Sequence, residues 1–407
     1  MKSRRSKQYL NLYFQVHQPR RLAHFRFFDV GLDKTLFDDT TNETILRRVA
    51  MNCYLPTNEI LLSTIRKNPS VKVTFSISGT ALEQFERYAP EVLTSFRQLA
   101  ATGNVEFLGE TYFHSLSCLV KGKEFSDQVK MHRQKLFQTV GVWPVIFRNT
   151  ELIYSDAIGT AVADLGFHGI YVDGIASVLN GKSPNRVYKH PSSDLVLFPR
   201  NYQLSDDVAF RFSEKSWAAW PLTASTYAGW IKSIPKDQDF ICLGMDYETF
   251  GEHQKADTGI LLFLKQFLAK MARHKKIVFA TPSEVIGAEV ARDVVSTERI
   301  VSWADESRDT SAWLGNGMQR DAFASLYRLL KTVSRTNDPS LKAVHQYLQT
   351  SDHFYYMSTK KGNDGNVHQY FSPFESPYEA FMNYMNVLSD LEFRVNATQE
   401  WTKLTVA

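Results

Sequence analysis

The chain has 407 residues, of which 43% are hydrophobic and 22% are charged, and its formal net charge is +4. These values are ordinary for a soluble globular protein, and the small net charge argues against nucleic-acid binding. No stretch approaches the roughly 20 uninterrupted apolar residues that a membrane helix requires, so the sequence does not predict membrane insertion.

The first predicted element follows a short basic cluster at the start of the chain. Residues 9–16 alternate between polar and apolar side chains, which predicts a strand and not an export signal. The three cysteines, Cys53, Cys118 and Cys242, are odd in number, far apart and without metal-binding spacing. This usage predicts a reduced, cytoplasmic compartment. The sequence does not indicate an oligomeric state.

Strand-like and helical patterns alternate through the first 300 residues. Runs rich in β-branched and aromatic residues predict strands at 9–16, 71–77, 105–108, 145–147, 169–172, 195–198, 240–243 and 277–280. Amphipathic patterns predict helices at 81–101, 125–140, 156–165 and 259–274. This alternation is typical of a parallel sheet in an α/β protein, and about seven such units favour an incomplete or distorted barrel.

The pattern changes near Trp303, so we predict a catalytic barrel over 1–302 and a helical domain over 303–407 that contributes to the active-site cleft. Helices are predicted at 321–335, 340–357 and 377–396. On the helix at 340–357 the polar side chains fall three or four residues apart and would share one face, either solvent-exposed or closing over a ligand: His345, Gln349, Asp352 and Tyr356.

Two carboxylates that follow apolar runs are the best candidates for chemistry. Glu151 comes after the run at 145–147, and Asp246 comes after the run at 240–243. Paired carboxylates at the ends of parallel strands are what glycosidic bond cleavage requires, and retaining enzymes hold them about 5 to 5.5 Å apart. The sequence therefore predicts a carbohydrate-active enzyme.

The neighbours of each carboxylate suggest its role. Arg148 and the amide of Asn149 favour an ionised Glu151, which suits a nucleophile. Burial and the nearby Glu248 or Glu252 favour a protonated Asp246, which suits the general acid.

Further candidate ligand contacts come from the ends of two other strands and from an irregular stretch. His17 and Gln18 close the first strand, and Glu110 and His114 follow the third. Arg148, three residues before Glu151, is also a candidate substrate contact. Long irregular stretches at 174–194 and 203–221 interrupt the pattern. The second contains Trp217 and Trp220, whose flat apolar rings suit stacking on sugar rings, as well as ordinary packing.

Five segments stand out in chain order: His17-Gln18-Pro19, Val105-Glu106-Phe107-Leu108-Gly109-Glu110-Thr111-Tyr112-Phe113-His114, Asn149-Thr150-Glu151, Met245-Asp246-Tyr247-Glu248-Thr249-Phe250-Gly251-Glu252-His253 and Asp352-His353. Together they resemble the five signature regions of the family 57 glycoside hydrolases. The resemblance implies an incomplete (β/α)7 barrel followed by a helical region, retaining hydrolysis of α-glucans, and no organic cofactor. We predict no metal site among these residues, and a structural calcium ion stays open.

The resemblance also implies roles for individual residues. It places the nucleophile at Glu151 and the acid/base at Asp246. The substrate-contacting positions that it implies are His17, His114, Glu248, His253 and Asp352. Two positions depart from the family pattern: Arg148 lies where glucanotransferase-type members often carry an aromatic residue, and His253 takes the place of an aromatic partner in the fourth region.

The segment at 246–253 looks most like the family's short α-amylase-type members, which favours hydrolysis of α-1,4-linked glucans. Three different functions stay open. The first is a 4-α-glucanotransferase of the same family. The second is a metal-dependent polysaccharide deacetylase that uses His17, His114, Asp246 and His253 as ligands, and the third is a non-catalytic glucan-binding protein.

Overall fold

A computed structural model describes residues 7–288 and 293–406 of the chain. The chain divides into two compact units. Unit 1 comprises the described residues of Met1–Gln18, Ile45–Glu110 and Val129–Ser302, and unit 2 comprises those of Pro19–Thr44, Thr111–Gln128 and Trp303–Ala407. Within the described ranges, no helix is both long enough and apolar enough to cross a membrane.

The strands all lie in unit 1 and are short. They are β1 Gln8–Val16, β2 Val73–Ile77, β3 Val105–Phe107, β4 Ile146–Phe147, β5 Gly169–Asp173, β6 Tyr188–Lys189, β7 Val196–Arg200, β8 Phe240–Asp246, β9 Phe250–Gly251, β10 Gln254–Lys255, β11 Ile277–Phe279 and β12 Asp293–Val294.

Helices follow most of the strands and make up most of unit 2. They are α1 Asp39–Val49, α2 Leu55–Lys67, α3 Gly79–Tyr88, α4 Pro90–Ala100, α5 Glu124–Val140, α6 Asp156–Asp164, α7 Ala176–Leu179, α8 Tyr202–Ala209, α9 Ala224–Ser233, α10 Ile260–Ala272, α11 Pro282–Ala288, α12 Ser311–Leu314, α13 Gly317–Arg335, α14 Pro339–Tyr347, α15 Ser351–Tyr355, α16 Gly362–Phe371 and α17 Pro377–Val406. A π-helical turn, Ala50–Tyr54, leads into α2.

Unit 1 contains two five-stranded sheets and a two-stranded sheet of β9 and β10. The first has the order β11-β1-β2-β3, and β8 also pairs with β1; all of these pairings are parallel. The second has the order β12-β6-β7-β5-β4, and β6 runs antiparallel to β7. A parallel bridge between Gly109 and Phe147 joins β3 to β4. The predicted α/β class with parallel strands is therefore confirmed.

Strand β1 is buried on both faces, and the two faces differ in polarity. One face carries Leu10, Leu12, Phe14 and Val16, which belong to the main hydrophobic core of unit 1. The other face is polar, because successive side chains of a strand point to opposite sides. Its residues Asn11, Tyr13 and Gln15 are all less than 3% exposed. Buried polar groups need hydrogen-bond partners, so this face lines a polar interior.

The predicted helix at 81–101 is wrong in one respect, because it is two helices. Helix α3 ends before Ala89, and α4 begins at Pro90. Ala89 has φ −146° and ψ 60°, outside the helical region. The proline ring disfavours the helical conformation in the preceding residue, and this local signal decides the break.

The predicted helix at 340–357 is also wrong, because it is divided into α14 and α15. Thr350 between them has φ −55° and ψ 128°, and it forms an antiparallel bridge with Ser115. A tertiary contact within unit 2 therefore overrides the helical pattern.

The division also removes the single polar face predicted on that helix. His345, Gln349 and Tyr356 are buried within unit 2, and Nε2 of His345 lies 3.0 Å from the carbonyl oxygen of Leu326. Asp352 alone of the four stays half-buried.

The stretches predicted to be irregular contain regular elements. Residues 174–194 include α7 and β6, and residues 203–221 include most of α8. These elements are short, which is why their patterns are weak in the sequence.

Gly244 in β8 is required by close packing. A Cβ atom at this position would come within 2.6 Å of Cε1 of the buried Tyr13 ring. We therefore expect G244A to destabilise the protein by roughly 1 to 3 kcal/mol, because a rigid ring must shift. Gly229 in α9 has no atom within 4 Å of such a Cβ. The control G229A is expected to be neutral or stabilising by up to about 1 kcal/mol. Denaturant unfolding measures both, and equal effects would contradict the packing argument.

Candidate active site

The carboxyl ends of the parallel strands bring several predicted residues to one edge of unit 1. Gln15 near the end of β1 lies beside Asp246, the last residue of β8. The bridge between Gly109 and Phe147 aligns the ends of β3 and β4, so Glu110 reaches the same edge. Enzymes with parallel strands build their sites at this edge.

Glu151 lies in a strained turn directly after β4. Its backbone is left-handed, with φ 56° and ψ 26°, and Leu152 has φ 50°. Residues other than glycine rarely adopt this conformation, which costs about 1 to 3 kcal/mol and clusters at functional sites. Asn149 closes the turn, because its Nδ2 donates to the carbonyl oxygen of Ile153 at 2.8 Å. The turn presents the half-buried Glu151 side chain.

Arg148 is a buried cation next to Glu151. Its side chain is 0% exposed, and its Nε donates to the hydroxyl of Tyr13 at 2.8 Å. Burial would lower the pKa of Arg148, but its interactions with Tyr13, Glu151 and Glu110 outweigh burial and raise that pKa. The positive charge favours the ionised form of Glu151. Direct contact of Arg148 with a ligand stays a prediction.

Tyr13 connects this cation to Asp246. The Tyr13 ring packs over Gly244, which shares a face of β8 with Asp246. Burial raises the pKa of the Tyr13 hydroxyl above its usual value, Arg148 lowers it, and the charge of Asp246 raises it further. The hydroxyl is therefore protonated at neutral pH. Arg148 and Tyr13 are hydrogen-bonded, and each also interacts electrostatically with one of the two candidate carboxylates, Arg148 with Glu151 and Tyr13 with Asp246.

Glu248 lies two residues after Asp246 and is buried. Its Oε1 accepts a short hydrogen bond from the hydroxyl of Tyr54 and a longer one, at 3.5 Å, from Nε2 of Gln18. Burial and the negative charge of Asp246 raise the pKa of Glu248 to about 8. At pH 7 this carboxyl is mostly protonated, so it adds little negative charge beside Asp246.

Glu248 should make the stability of the fold depend on pH. Its pKa is about 8 in the folded protein against an ordinary value of 4.5, so over this range the folded state keeps a proton that the unfolded state releases. The contribution is fully present below pH 4.5 and is lost as the pH rises through 8. We expect the free energy of unfolding to fall between these limits, and to fall less steeply in E248Q.

Denaturant unfolding at several pH values across this window measures the slope. The control is E59Q, because Glu59 is exposed on α2. E59Q should keep the wild-type slope. The same slope in E248Q would contradict the assignment.

Glu110 is held in the polar interior. It is 0% exposed, and its Oε1 accepts from Oγ of Ser76 at 2.9 Å and from Nε2 of Gln15 at 3.4 Å. Its backbone N–H donates to Nδ1 of His132 at 3.3 Å. Nε2 of His132 lies 2.8 Å from the carbonyl oxygen of Ile77, which fixes the tautomer with the proton on Nε2.

The two histidines predicted in unit 1 are half-buried. Nδ1 of His17 lies 2.7 Å from Oγ of Ser78. The backbone N–H of His253 donates to the carbonyl oxygen of Glu248 at 2.8 Å. Burial lowers the pKa of His253 to about 4, although Glu252 acts in the opposite direction. His253 is therefore neutral at pH 7, and a neutral imidazole suits hydrogen bonds to sugar hydroxyls.

The two predicted tryptophans differ in environment. Trp217 is half-buried, packs edge-on against Trp230 at 6.0 Å between ring centroids, and has the guanidinium of Arg211 over its ring. Trp220 is 43% exposed. Of the two, Trp220 keeps more ring surface open to solvent.

The predicted residues of unit 2 lie on neighbouring segments of that unit. His114 is buried with φ 50°, and its carbonyl oxygen accepts from the backbone N–H of Ser351 at 3.0 Å. Asp352 follows Ser351 in the first turn of α15 and is half-buried.

Three residues of unit 1 that lie around Arg148, Asp246 and Glu248 were not identified from the sequence: Tyr13, Tyr54 and Arg200. Nε of Arg200 donates to the carbonyl oxygen of Gly244 at 2.6 Å, and its Nη1 pairs with Asp173 at 3.3 Å. The signal for Tyr13 was the polar residue at every second position of β1, which is unusual for a strand buried on both faces. Tyr54 and Arg200 carry no comparable local signal.

A deacetylase requires a cluster of metal ligands. Among residues 7–288 and 293–406, no group of three or more His, Cys, Asp or Glu side chains is placed to hold a metal ion. The geometry therefore offers the deacetylase hypothesis no support.

Comparison with known proteins gives a consistent result. The family model described as "Glycosyl hydrolase family 57" matches residues 11–298. A protein of Methanocaldococcus jannaschii described as "Putative alpha-amylase" is 40% identical over 395 residues, which cover 94% of this chain and 84% of that protein.

Two solved structures show the same fold at low identity. A branching enzyme from Pyrococcus horikoshii superposes with a TM-score of 0.67 at 15% identity, over 96% of this chain and 94% of that one. A 4-alpha-glucanotransferase from Thermococcus litoralis superposes with a TM-score of 0.63 at 17% identity, over 85% of this chain. The chain spans only 56% of the length of that second enzyme.

Proposed function

Because the chain belongs to glycosyl hydrolase family 57, we propose that it cleaves α-1,4-glucosidic bonds in α-glucans with retention of configuration, as an α-amylase-type enzyme. Glu151 is the nucleophile and Asp246 is the acid/base. The proposal includes an incomplete (β/α)7 barrel, for which the bridge from β3 to β4 and the hydrogen bond from Asn201 N–H to the Cys242 carbonyl oxygen are the support.

One arrangement carries the assignment of roles. Glu151 lies beside a buried cation, and Asp246 lies beside the neutral Tyr13 and the mostly neutral Glu248. A cation lowers the pKa of a neighbouring carboxyl, which suits the ionised nucleophile. Asp246 and Glu248 repel each other when both are ionised, so the pair retains one proton near neutral pH, which suits the acid.

The first step forms a covalent intermediate. The Glu151 carboxylate attacks the anomeric carbon, the glycosidic C–O bond breaks, and Asp246 gives its proton to the departing sugar oxygen. In the second step Asp246 takes a proton from water, whose oxygen attacks the same carbon and releases Glu151. Two inversions return the α configuration.

The remaining predicted contacts are assigned to binding the glucan. We assign His17, Gln18, Glu248 and His253 to sugar hydroxyls near the bond that is cleaved. Glu110 and Arg148, also predicted as substrate contacts, are assigned to act from the interior; the support is that both are fully buried. Trp220, Trp217, His114 and Asp352 stay predictions as sugar contacts, as does the cytoplasmic location.

The product profile tests this proposal. Purified protein is incubated with maltoheptaose, and the anomers of the first products are followed by proton NMR. We expect shorter oligosaccharides that appear first as α anomers. Products longer than the substrate would instead identify a glucanotransferase. Initial β anomers would overturn the retaining mechanism.

Two further measurements test the deacetylase and the glucan-binding hypotheses. Stoichiometric zinc in the purified protein, with activity lost on chelation, would identify a deacetylase. Binding of maltoheptaose without turnover across starch, pullulan and oligosaccharides would identify a glucan-binding protein.

A further inference from the structure

Tyr13 lies in the middle of the buried cluster but takes no part in the two chemical steps. Its ring is 0% exposed and packs against the ring of Tyr171 at 4.8 Å between centroids and over Gly244. A fully buried phenol in such close contact holds its hydroxyl in one place, because only two side-chain torsions position it. The Nε of Arg148 therefore has a fixed acceptor at 2.8 Å.

The fixed Tyr13 hydroxyl matters because Arg148 has two carboxylates near it, Glu151 and Glu110. Arg148 lies within the electrostatic reach of both Glu151 and Glu110. The guanidinium group is planar, so fixing its Nε limits the directions in which the remaining N–H groups point. Without the anchor, the guanidinium can turn toward the fully buried Glu110, which directly follows Gly109, whose carbonyl oxygen accepts from the Arg148 backbone N–H at 2.8 Å.

We propose that Tyr13 is a positioning residue for the nucleophile: by accepting the hydrogen bond from Nε of Arg148, it keeps the guanidinium charge on Glu151 and away from Glu110. The inference rests on the proposed function of Glu151. It adds a residue whose hydroxyl sets how one cation is shared between two carboxylates.

The other charges around the cluster are already balanced elsewhere. Arg200, which also lies near Tyr13, is paired with Asp173 and Asp206. His132 beside Glu110 is buried, and burial lowers its pKa, so it is neutral. The groups that face Tyr13 and Arg148 with titratable or permanent charge are Glu151, Glu110, Asp246 and Arg200.

The test is the pH dependence of kcat/KM in Y13F. The acidic limb reports the nucleophile of the free enzyme, and the alkaline limb reports the acid/base. With Arg148 released, the acidic limb should move to higher pH by about half to one unit, and kcat/KM at the optimum should fall about tenfold. The alkaline limb should move less.

The control is Y171F. Tyr171 is an equally buried tyrosine on β5, and its hydroxyl donates to Oδ1 of Asn11 at 2.7 Å. Y171F should lose stability while both limbs stay in place. If Y13F likewise loses stability and moves neither limb, Tyr13 is only a packing residue and the inference is overturned.

A double-mutant cycle provides a readout that needs no turnover. Unfolding is measured for wild type, Y13F, E151Q and the double variant near pH 7. Y13F should cost more when position 151 is charged, with a coupling of at least about threefold in the unfolding equilibrium constant. Additive effects overturn the inference. Retained turnover in E151Q would instead reject the proposed function, so the two failures are distinguishable.

Discussion

The E151Q variant is expected to lose turnover of α-glucans by roughly 10⁴-fold while it keeps its fold and its affinity for oligosaccharides. The amide has the size of the carboxylate, but it cannot form the glycosyl ester. The left-handed turn that holds Glu151 is closed by the hydrogen bond from Asn149, which the substitution leaves in place, so the backbone should survive the change. Steady-state kinetics and calorimetric binding of maltoheptaose measure the two properties separately.

The matched control for this variant is E59Q, the same chemical change on the exposed face of α2. E59Q should keep full activity. A second variant, E151A, leaves space for a small external nucleophile. Added azide should restore turnover of an activated α-glucoside, and one inversion should make the product a β-glycosyl azide. Full activity in E151Q would remove Glu151 from the mechanism.

Much of the site could be predicted because its position follows from local patterns. The apolar runs before Glu151 and Asp246 are strands β4 and β8, and each carboxylate lies at or just after a strand end. Carboxyl ends of parallel strands share an edge, so two separate local predictions combine into one site. The break before Pro90 could also be predicted from the proline itself, although the helical pattern at 81–101 continues across it.

The contacts that tune the site could not be predicted, because they join residues distant in the chain. The bond between Arg148 and Tyr13 spans 135 positions, and the bond between Tyr54 and Glu248 spans 194. The left-handed backbone at Glu151 could not be predicted either, because the residue at that position is not a glycine. Tyr54 lies in a π-helical turn, which depends on one extra residue per turn and leaves no hydrophobic period.

The π-helical turn explains how the segment after Asp246 is held. Sγ of Cys53 donates to the carbonyl oxygen of Tyr247 at 3.1 Å, and the hydroxyl of Tyr54 donates to Glu248. A Cβ at Gly251, where φ is 117°, would collide with the carbonyl oxygen of Asn52. The helix and the segment therefore pack backbone against backbone. This packing keeps the groups around Asp246 in fixed positions, which pre-organised catalysis requires.

The D246N variant should separate the two chemical steps. For natural glucans the leaving group is a weakly acidic sugar hydroxyl, so loss of the general acid should lower kcat/KM by roughly 10²- to 10⁴-fold. A nitrophenyl α-glucoside has a good leaving group and needs little protonation, so its first step should be nearly unchanged. Hydrolysis of the intermediate still lacks a general base. Stopped-flow measurements should therefore show a burst of nitrophenol followed by slow turnover.

Azide distinguishes the two carboxylates by the configuration of the product. In D246N the nucleophile Glu151 is intact, so azide attacks the covalent intermediate without needing a base, and two inversions yield an α-glycosyl azide. In E151A only one inversion occurs, and the β product results. Opposite anomers from the two variants can arise only if Glu151 bonds to the sugar and Asp246 moves protons. The same anomer from both, or reversed anomers, would contradict this division of roles.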